Sequence, residues 1–139
     1  MTKEVMVTVH GTQTGEMQKD ESSFAVPGSY YEKDGQRIVL YEEIIEGIEV
    51  PVKNRLVFSE KSVLLKKSGA VRWNMEFVLQ EKKVTEYHTP YGPITMGIFT
   101  KDILKFETED KIRLIVRYDL EMQGEHQADC EVNITISAK

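Results

Sequence analysis

The stretch Ala128-Asp129-Cys130-Glu131-Val132-Asn133-Ile134-Thr135-Ile136-Ser137 decides the fold class. Its apolar residues, Ala128, Cys130, Val132, Ile134 and Ile136, take every second position, and polar residues fill the others. A helix repeats its buried positions every three or four residues. Successive strand side chains point to opposite faces, so this spacing gives one dry face and one wet one. The preceding segment repeats the pattern: Ile112, Leu114, Val116, Tyr118, Leu120 and Met122 alternate with Arg113, Arg117, Asp119 and Glu121. Gly124 lies between the two and marks a hairpin.

Further upstream, Val71, Trp73, Met75, Phe77 and Leu79 alternate with Arg72, Asn74 and Glu76, and near the start Val5, Val7 and Val9 alternate with Met6, Thr8 and His10. Lys33-Asp34-Gly35-Gln36 reads as a hairpin turn joining Ser29–Tyr31 to Arg37–Glu43, because Asp-Gly tolerates the positive φ that such turns demand. Strands also fit residues 50–58, 61–67, 82–88 and 94–107. Between Glu42 and Glu49 the β-branched isoleucines and Gly47 favour strand and turn over helix. At about twelve residues per strand and turn the chain holds roughly ten strands. An open sheet of that size leaves unpaired edges. The expected fold is all-β, a single antiparallel up-and-down β-barrel of about 8–10 strands spanning residues 1–139 as one domain.

Composition limits function more than it reveals it. Of 139 residues, 40% are hydrophobic and 29% charged, which excludes wholesale disorder. The net charge of −5 disfavours a general binder of nucleic acid or anionic membrane. Cys130 is the single cysteine, so no intrachain disulfide forms. The opening Met1-Thr2-Lys3-Glu4-Val5-Met6 carries an acid and alternates instead of starting an apolar signal segment. Apolar runs such as Ile38–Leu40 and Val63–Leu65 fall far short of the ~20 residues of a spanning helix. A cytoplasmic location is expected.

Four stretches occur in a telling order: Tyr41-Glu42-Glu43, Lys67-Ser68-Gly69-Ala70-Val71-Arg72-Trp73-Asn74-Met75-Glu76-Phe77, Thr89-Pro90-Tyr91-Gly92 and Ile112-Arg113-Leu114-Ile115-Val116-Arg117-Tyr118-Asp119-Leu120. Together they resemble the YwiB-like family of small bacterial proteins, over nearly the whole chain. The resemblance implies a calycin or lipocalin-like antiparallel barrel in a bacterial cytosolic protein and brings no activity with it. The Gly-x-Trp signature of secretory lipocalins is missing, since Trp73 lies mid-chain after Val71-Arg72. Ligand binding is therefore not inherited from that group.

Few side chains combine into chemistry. Glu42 and Glu43 point to opposite faces of a strand and cannot work as a carboxylate pair. Both faces are largely apolar, so whichever glutamate turns inward needs a cationic or hydroxyl partner. Tyr41 and Glu43 share a face and are candidate contacts for a ligand held inside. Tyr91 sits at the tip of a Pro-Gly turn, where it would either cover a barrel mouth or pack on a rigid hairpin. Tyr118 points inward if the Ile112–Met122 face does, and Arg117 is then a solvated or salt-bridged surface residue. Glu86 and His88 form half of a metal site, but His10 and His126 stand too far away in sequence to complete it, so no metal is expected. Cys130 on its apolar face reads as an inert thiol. Lys66-Lys67 and Lys82-Lys83 flank Trp73, but the overall acidity makes a core tryptophan the better reading than a nucleic-acid platform.

No catalytic set and no cofactor motif survive this reading. The expectation is a non-enzymatic barrel holding a small apolar or amphipathic molecule, with Tyr41, Glu43, Tyr91 and Tyr118 as candidate contacts. The alternative is a structural or protein-interaction module whose interior is filled by Trp73, Met75, Phe77, Tyr118 and Met122. A cavity above about 300 Å³ separates the two. Homodimerisation is left open, through a sheet edge or outward apolar residues such as Ile115.

Overall fold

The computed structural model describes residues 3–47 and 49–139. Met1 and Thr2 of the opening segment, and Ile48 in the stretch between Glu42 and Glu49, lie outside the described residues. The ten strands are β1 (Glu4–Thr14), β2 (Lys19–Lys33), β3 (Gln36–Glu43), β4 (Val52–Phe58), β5 (Ser62–Ser68), β6 (Trp73–Val78), β7 (Lys82–Thr89), β8 (Gly92–Glu107), β9 (Lys111–Met122) and β10 (Glu125–Ala138). They form one antiparallel sheet in the order β6-β5-β4-β3-β2-β1-β10-β9-β8-β7. No helix occurs among the described residues. The expected all-β barrel of sequential hairpins is the observed one.

Turn chemistry sets the register. Asp34 (φ 52°) with Gly35 (φ 77°), and Gln123 (φ 54°) with Gly124 (φ 84°), make two-residue turns of doubly positive φ between Lys33 and Gln36 and between Met122 and Glu125. That turn twists in the same sense as the strands it joins. β1 and β10 close the sheet from Val5↔Ala138 to Thr14↔Asp129. Among the described residues the opposite edges, β6 and β7, meet through one bridge, between Arg72 just before β6 and His88 on β7, whose two N–H···O bonds measure 2.9 and 2.8 Å. The barrel is therefore nearly closed.

The interior is built from the alternating faces. Val5, Val7, Val39, Leu56, Val116 and Ile136 are fully buried, with Tyr118, Phe77 and Cys130 packed among them. An extra residue in β8, between Thr100 and Asp102, shifts the register against β9. The inward positions accordingly change from Met96, Ile98 and Thr100 to Ile103 and Lys105, a change of phase that a β-bulge produces. One end of the barrel is spanned by Arg37 paired with Glu107 and by Lys105 with Glu60 at 3.6 Å, joining strands that are not neighbours in the sheet.

Two expectations need correction. Ile115 is only 9% exposed, beside Leu104 on β8, so it is not itself an exposed outer residue. The second strand is not confined to Ser29–Tyr31 but begins at Lys19, paired with Thr14. Its first half is polar and exposed on both faces, so no alternation betrays it.

Candidate functional site

The β2–β3 ladder stops at Gly28↔Tyr41, whereas β2 stays paired with β1 as far as Lys19. Pro27, the next residue of β2, has no N–H to offer a neighbour. Beyond it β2 and β3 part. Inside the barrel at this end lies a cavity of about 350 Å³. Its wall is apolar: Phe24 from β2, Leu56 from β4, Leu65 from β5, Met75 and Phe77 from β6, and Val116 from β9. Polar residues of the β1–β2 hairpin, Gln13, Asp20 and Ser22, stand at the rim.

Three polar residues close the apolar faces of three adjacent strands. Glu43 follows Val39 and Tyr41 on β3, Asn54 precedes Leu56 and Phe58 on β4, and Lys67 follows Val63 and Leu65 on β5. They converge: Lys67 Nζ lies 2.6 Å from Glu43 Oε1 and 3.1 Å from Asn54 Oδ1, and Asn54 Nδ2 donates to Glu43 at 3.2 Å. Lys67 and Glu43 expose only 16% and 19% of their side chains. Each polar atom therefore needs the others, because an unpaired charge in such a place is costly. Glu43, not Glu42, is the inward acid, and Glu42 is exposed.

Tyr41 and Tyr118 both line the cavity. Burial pushes both phenols well above the ordinary tyrosine range, and the Glu43 charge adds to the effect at Tyr41. Both stay protonated as neutral hydrogen-bond donors across physiological pH. Tyr41 faces Phe24 across the parted strands at 6.2 Å, and Tyr118 tilts against Phe77 at 4.9 Å. Trp73 also lines the cavity; it meets Tyr87 edge-on at 4.9 Å, and its buried Nε1–H has no acceptor among the described residues.

Of the four residues singled out from sequence, the structure brings Tyr41, Glu43 and Tyr118 together. Tyr91 does not join them: it is 99% exposed at the β7–β8 turn and lines no part of the cavity. Sequence reading missed Lys67 as a cavity residue and Asn54 as the partner that bonds it and Glu43. The signal was present, since each continues an inward apolar face by one more step of two. Lys67 was masked by Lys66, which makes the pair look like a surface patch.

Comparison with known proteins bears on this arrangement. Residues 7–134 match the family described as Domain of unknown function (DUF1934). This chain belongs to that family. The "Uncharacterized beta-barrel protein YwiB" of Bacillus subtilis (strain 168) is 28% identical over 137 residues, covering 97% of this chain and 95% of the relative. The crystal structure of the ywiB protein from Bacillus subtilis superposes with a TM-score of 0.88 at 24% identity, covering 99% of this chain and 92% of that one. The barrel is thus shared with a solved structure.

Outside the cavity, this DUF1934 chain pairs many of its charges. Arg117 points outward to Glu131 at 2.8 Å, and Glu86 reaches His88 at 3.2 Å. Asp119, His126 and Asp129 offer ligand atoms within 4.8 Å of one another on β9 and β10. Lys101 Nζ stands 3.1 Å from Asp119 and 3.9 Å from Asp129, so an ammonium already supplies positive charge there. Cys130 is buried, and desolvation pushes its thiol up to about 11, which keeps it unreactive near neutrality.

Proposed function

We propose that this protein is a non-enzymatic carrier or sensor that holds a small amphipathic molecule inside its barrel. The observation that carries the reading is the 350 Å³ cavity, apolar in its walls and furnished at one end with the Glu43–Asn54–Lys67 cluster. Its volume falls at the small end of the range for ligand pockets, about 300–1,000 Å³. The apolar body of the ligand packs against Leu56, Leu65, Met75 and Phe77. Its polar head meets Lys67 and Glu43, with the unpartnered Trp73 N–H as a further donor. Among the described residues no nucleophile–base pair lines the cavity, so binding is favoured over chemistry. The barrel architecture supports the same reading by fold analogy alone, and the lone buried thiol is at home in a reducing cytosol.

Native mass spectrometry of the protein gently purified from its own host tests the proposal. The expected result is a co-purifying small molecule that Leu65→Trp, which fills the cavity, expels while circular dichroism still reports a folded barrel. A bare polypeptide mass in the wild type, or retention unaffected by Leu65→Trp, overturns it in favour of a barrel packed for its own sake.

A further inference from the structure

A second concavity lies over β2 to β5; it shares Tyr41 with the inner cavity, and Asn54 of the inner polar cluster also lines it. It is larger, about 880 Å³, with a floor that includes Pro27, Leu40 and Ile44. Its cations are placed by strand register. Arg55 on β4 is directly opposite Lys66 on β5, and Lys53 projects from the same face of β4 two residues away. Like charges directly opposite each other are unfavourable in a sheet. Elsewhere the outer-face cations Lys82, Lys101 and Arg117 have carboxylate partners, while Arg113 bonds Asn133 instead. Lys53, Arg55 and Lys66 have none within 4 Å among the described residues, although the chain is acidic overall. Glu42, opposite Lys53, and Glu4 are the acids of this trough.

We propose that this trough binds an anion carrying two adjacent phosphate or carboxylate groups. One group lies between Arg55 and Lys66, whose Cβ atoms stand about 5 Å apart in such a pair. The planar guanidinium offers it two parallel N–H bonds and the ammonium adds a point charge. The second group reaches Lys53, about 7 Å along β4. The rest of the molecule rests on Leu40 and Ile44, which are 38% and 84% exposed and give the trough an apolar side. The one aromatic ring lining the trough among the described residues, Tyr41, is only 5% exposed, so the recognised feature is the oxyanion pair and not a stacked base.

Inorganic pyrophosphate, titrated into the full chain and followed by amide chemical shifts, tests the proposal, with citrate as the carboxylate counterpart. Saturable shifts confined to β4, β5 and the end of β3 are expected. Arg55→Gln should weaken binding at least tenfold, and Glu42→Gln, which removes the opposing carboxylate, should tighten it severalfold. Both variants lie on the outer face and leave the inner cavity intact, so ligand retention inside the barrel reports separately. Shifts that do not saturate, that spread equally to Lys33 and Lys111, or that are unchanged in Arg55→Gln overturn the proposal. Pyrophosphate without citrate, or the reverse, assigns the oxyanion type.

Discussion

Among the described residues β1 meets β10 through ten consecutive residue pairs, with Val5, Val7, Ile134 and Ile136 buried beneath them, whereas β6 meets β7 through the single bridge Arg72↔His88. The difference runs against chain proximity. Strands from the two ends of the sequence form the strong seam, and strands joined by three residues form the weak one. The cause is local. After β6 the backbone turns through Gln80 at φ 62°, and its hydrogen bonds go to β8: Gln80 N–H to Thr100 O at 2.8 Å and Thr100 N–H to Glu81 O at 3.3 Å. With those groups committed to β8, the β6–β7 hairpin is splayed and only its far end closes. A sheet this large thus acquires a soft side in mid-chain, next to Trp73 and the cavity it lines. Access to the interior is most easily placed there, because opening one bridge disturbs far less than unzipping ten pairs.

The largest expected effect comes from attacking the strong seam. Ile136 is fully buried and stands opposite Val7 and Ile112. Ile136→Ala should cost about 2–5 kcal/mol, read as a lowered urea midpoint with the slope unchanged. A cost below about 1 kcal/mol would show that the terminal strands do not carry the closure.

Next is the polar cluster. Glu43→Gln leaves the Lys67 ammonium without its carboxylate in a site where it is only 16% exposed, at a cost of about 1–3 kcal/mol. Replacing both partners, as Glu43→Leu with Lys67→Met, should recover most of that stability, since neither charge then remains to be solvated. If the double replacement also expels a bound molecule, the cluster is retained for binding and not for folding. Urea titration and mass spectrometry of the same preparations separate the two outcomes.

The strong seam also carries a pH dependence. Burial raises the Cys130 thiol to about 11, opposite Gln13 on β1 and Tyr118 on β9. In the unfolded chain a thiol ionises near 8.5, so between roughly pH 8.5 and 11 the folded state holds a proton that the unfolded state has lost. Stability therefore falls as pH rises through that window, by at most about 2 kcal/mol at pH 10. Tyr30, raised by burial and by its bond to Glu32 to about 12, extends the loss above pH 10. In Cys130→Ala the decline should begin near pH 10, not pH 8.5. Urea midpoints at pH 8, 9 and 10 decide it.

How legible was this molecule before its structure? The β9 and β10 faces were readable because every inward residue from Ile112 to Met122 and from Ala128 to Ile136 is apolar, and the sheet buries one side only. The turns at Asp34-Gly35 and Gln123-Gly124 were readable because positive φ restricts residue choice. The first half of β2 was not: a hairpin extending past the core has two wet faces, and its ladder with β1 leaves no hydrophobic trace. The cavity was half legible. Tyr41, Glu43 and Tyr118 follow from alternation, whereas their meeting with Lys67 depends on register across β3, β4 and β5, which one sequence does not fix. Tyr91 misled because a turn aromatic looks the same whether it folds over a mouth or points into water. The weak seam left no sign at all, since it arises from where Gln80 and Glu81 send their hydrogen bonds.

That weak seam gives the smallest expected effect and the most pointed one. Trp73 on β6 and Tyr87 on β7 meet edge-on at 4.9 Å, close to the only bridge between their strands among the described residues. Such pairs contribute about 0.5–1.5 kcal/mol beyond burial, and with both rings half-exposed the coupling here should fall near 0.5 kcal/mol. A double-mutant cycle with Trp73→Leu and Tyr87→Leu measures it free of the burial each ring loses by itself. The more telling readout is amide exchange. If the seam opens as a unit, removing the ring pair should speed exchange of the Arg72 and His88 amides, while those of β1 and β10 keep the full unfolding barrier of the variant. Uniform acceleration across all ten strands would mean the two seams open together, and the contrast between them would be one of hydrogen-bond count and not of stability.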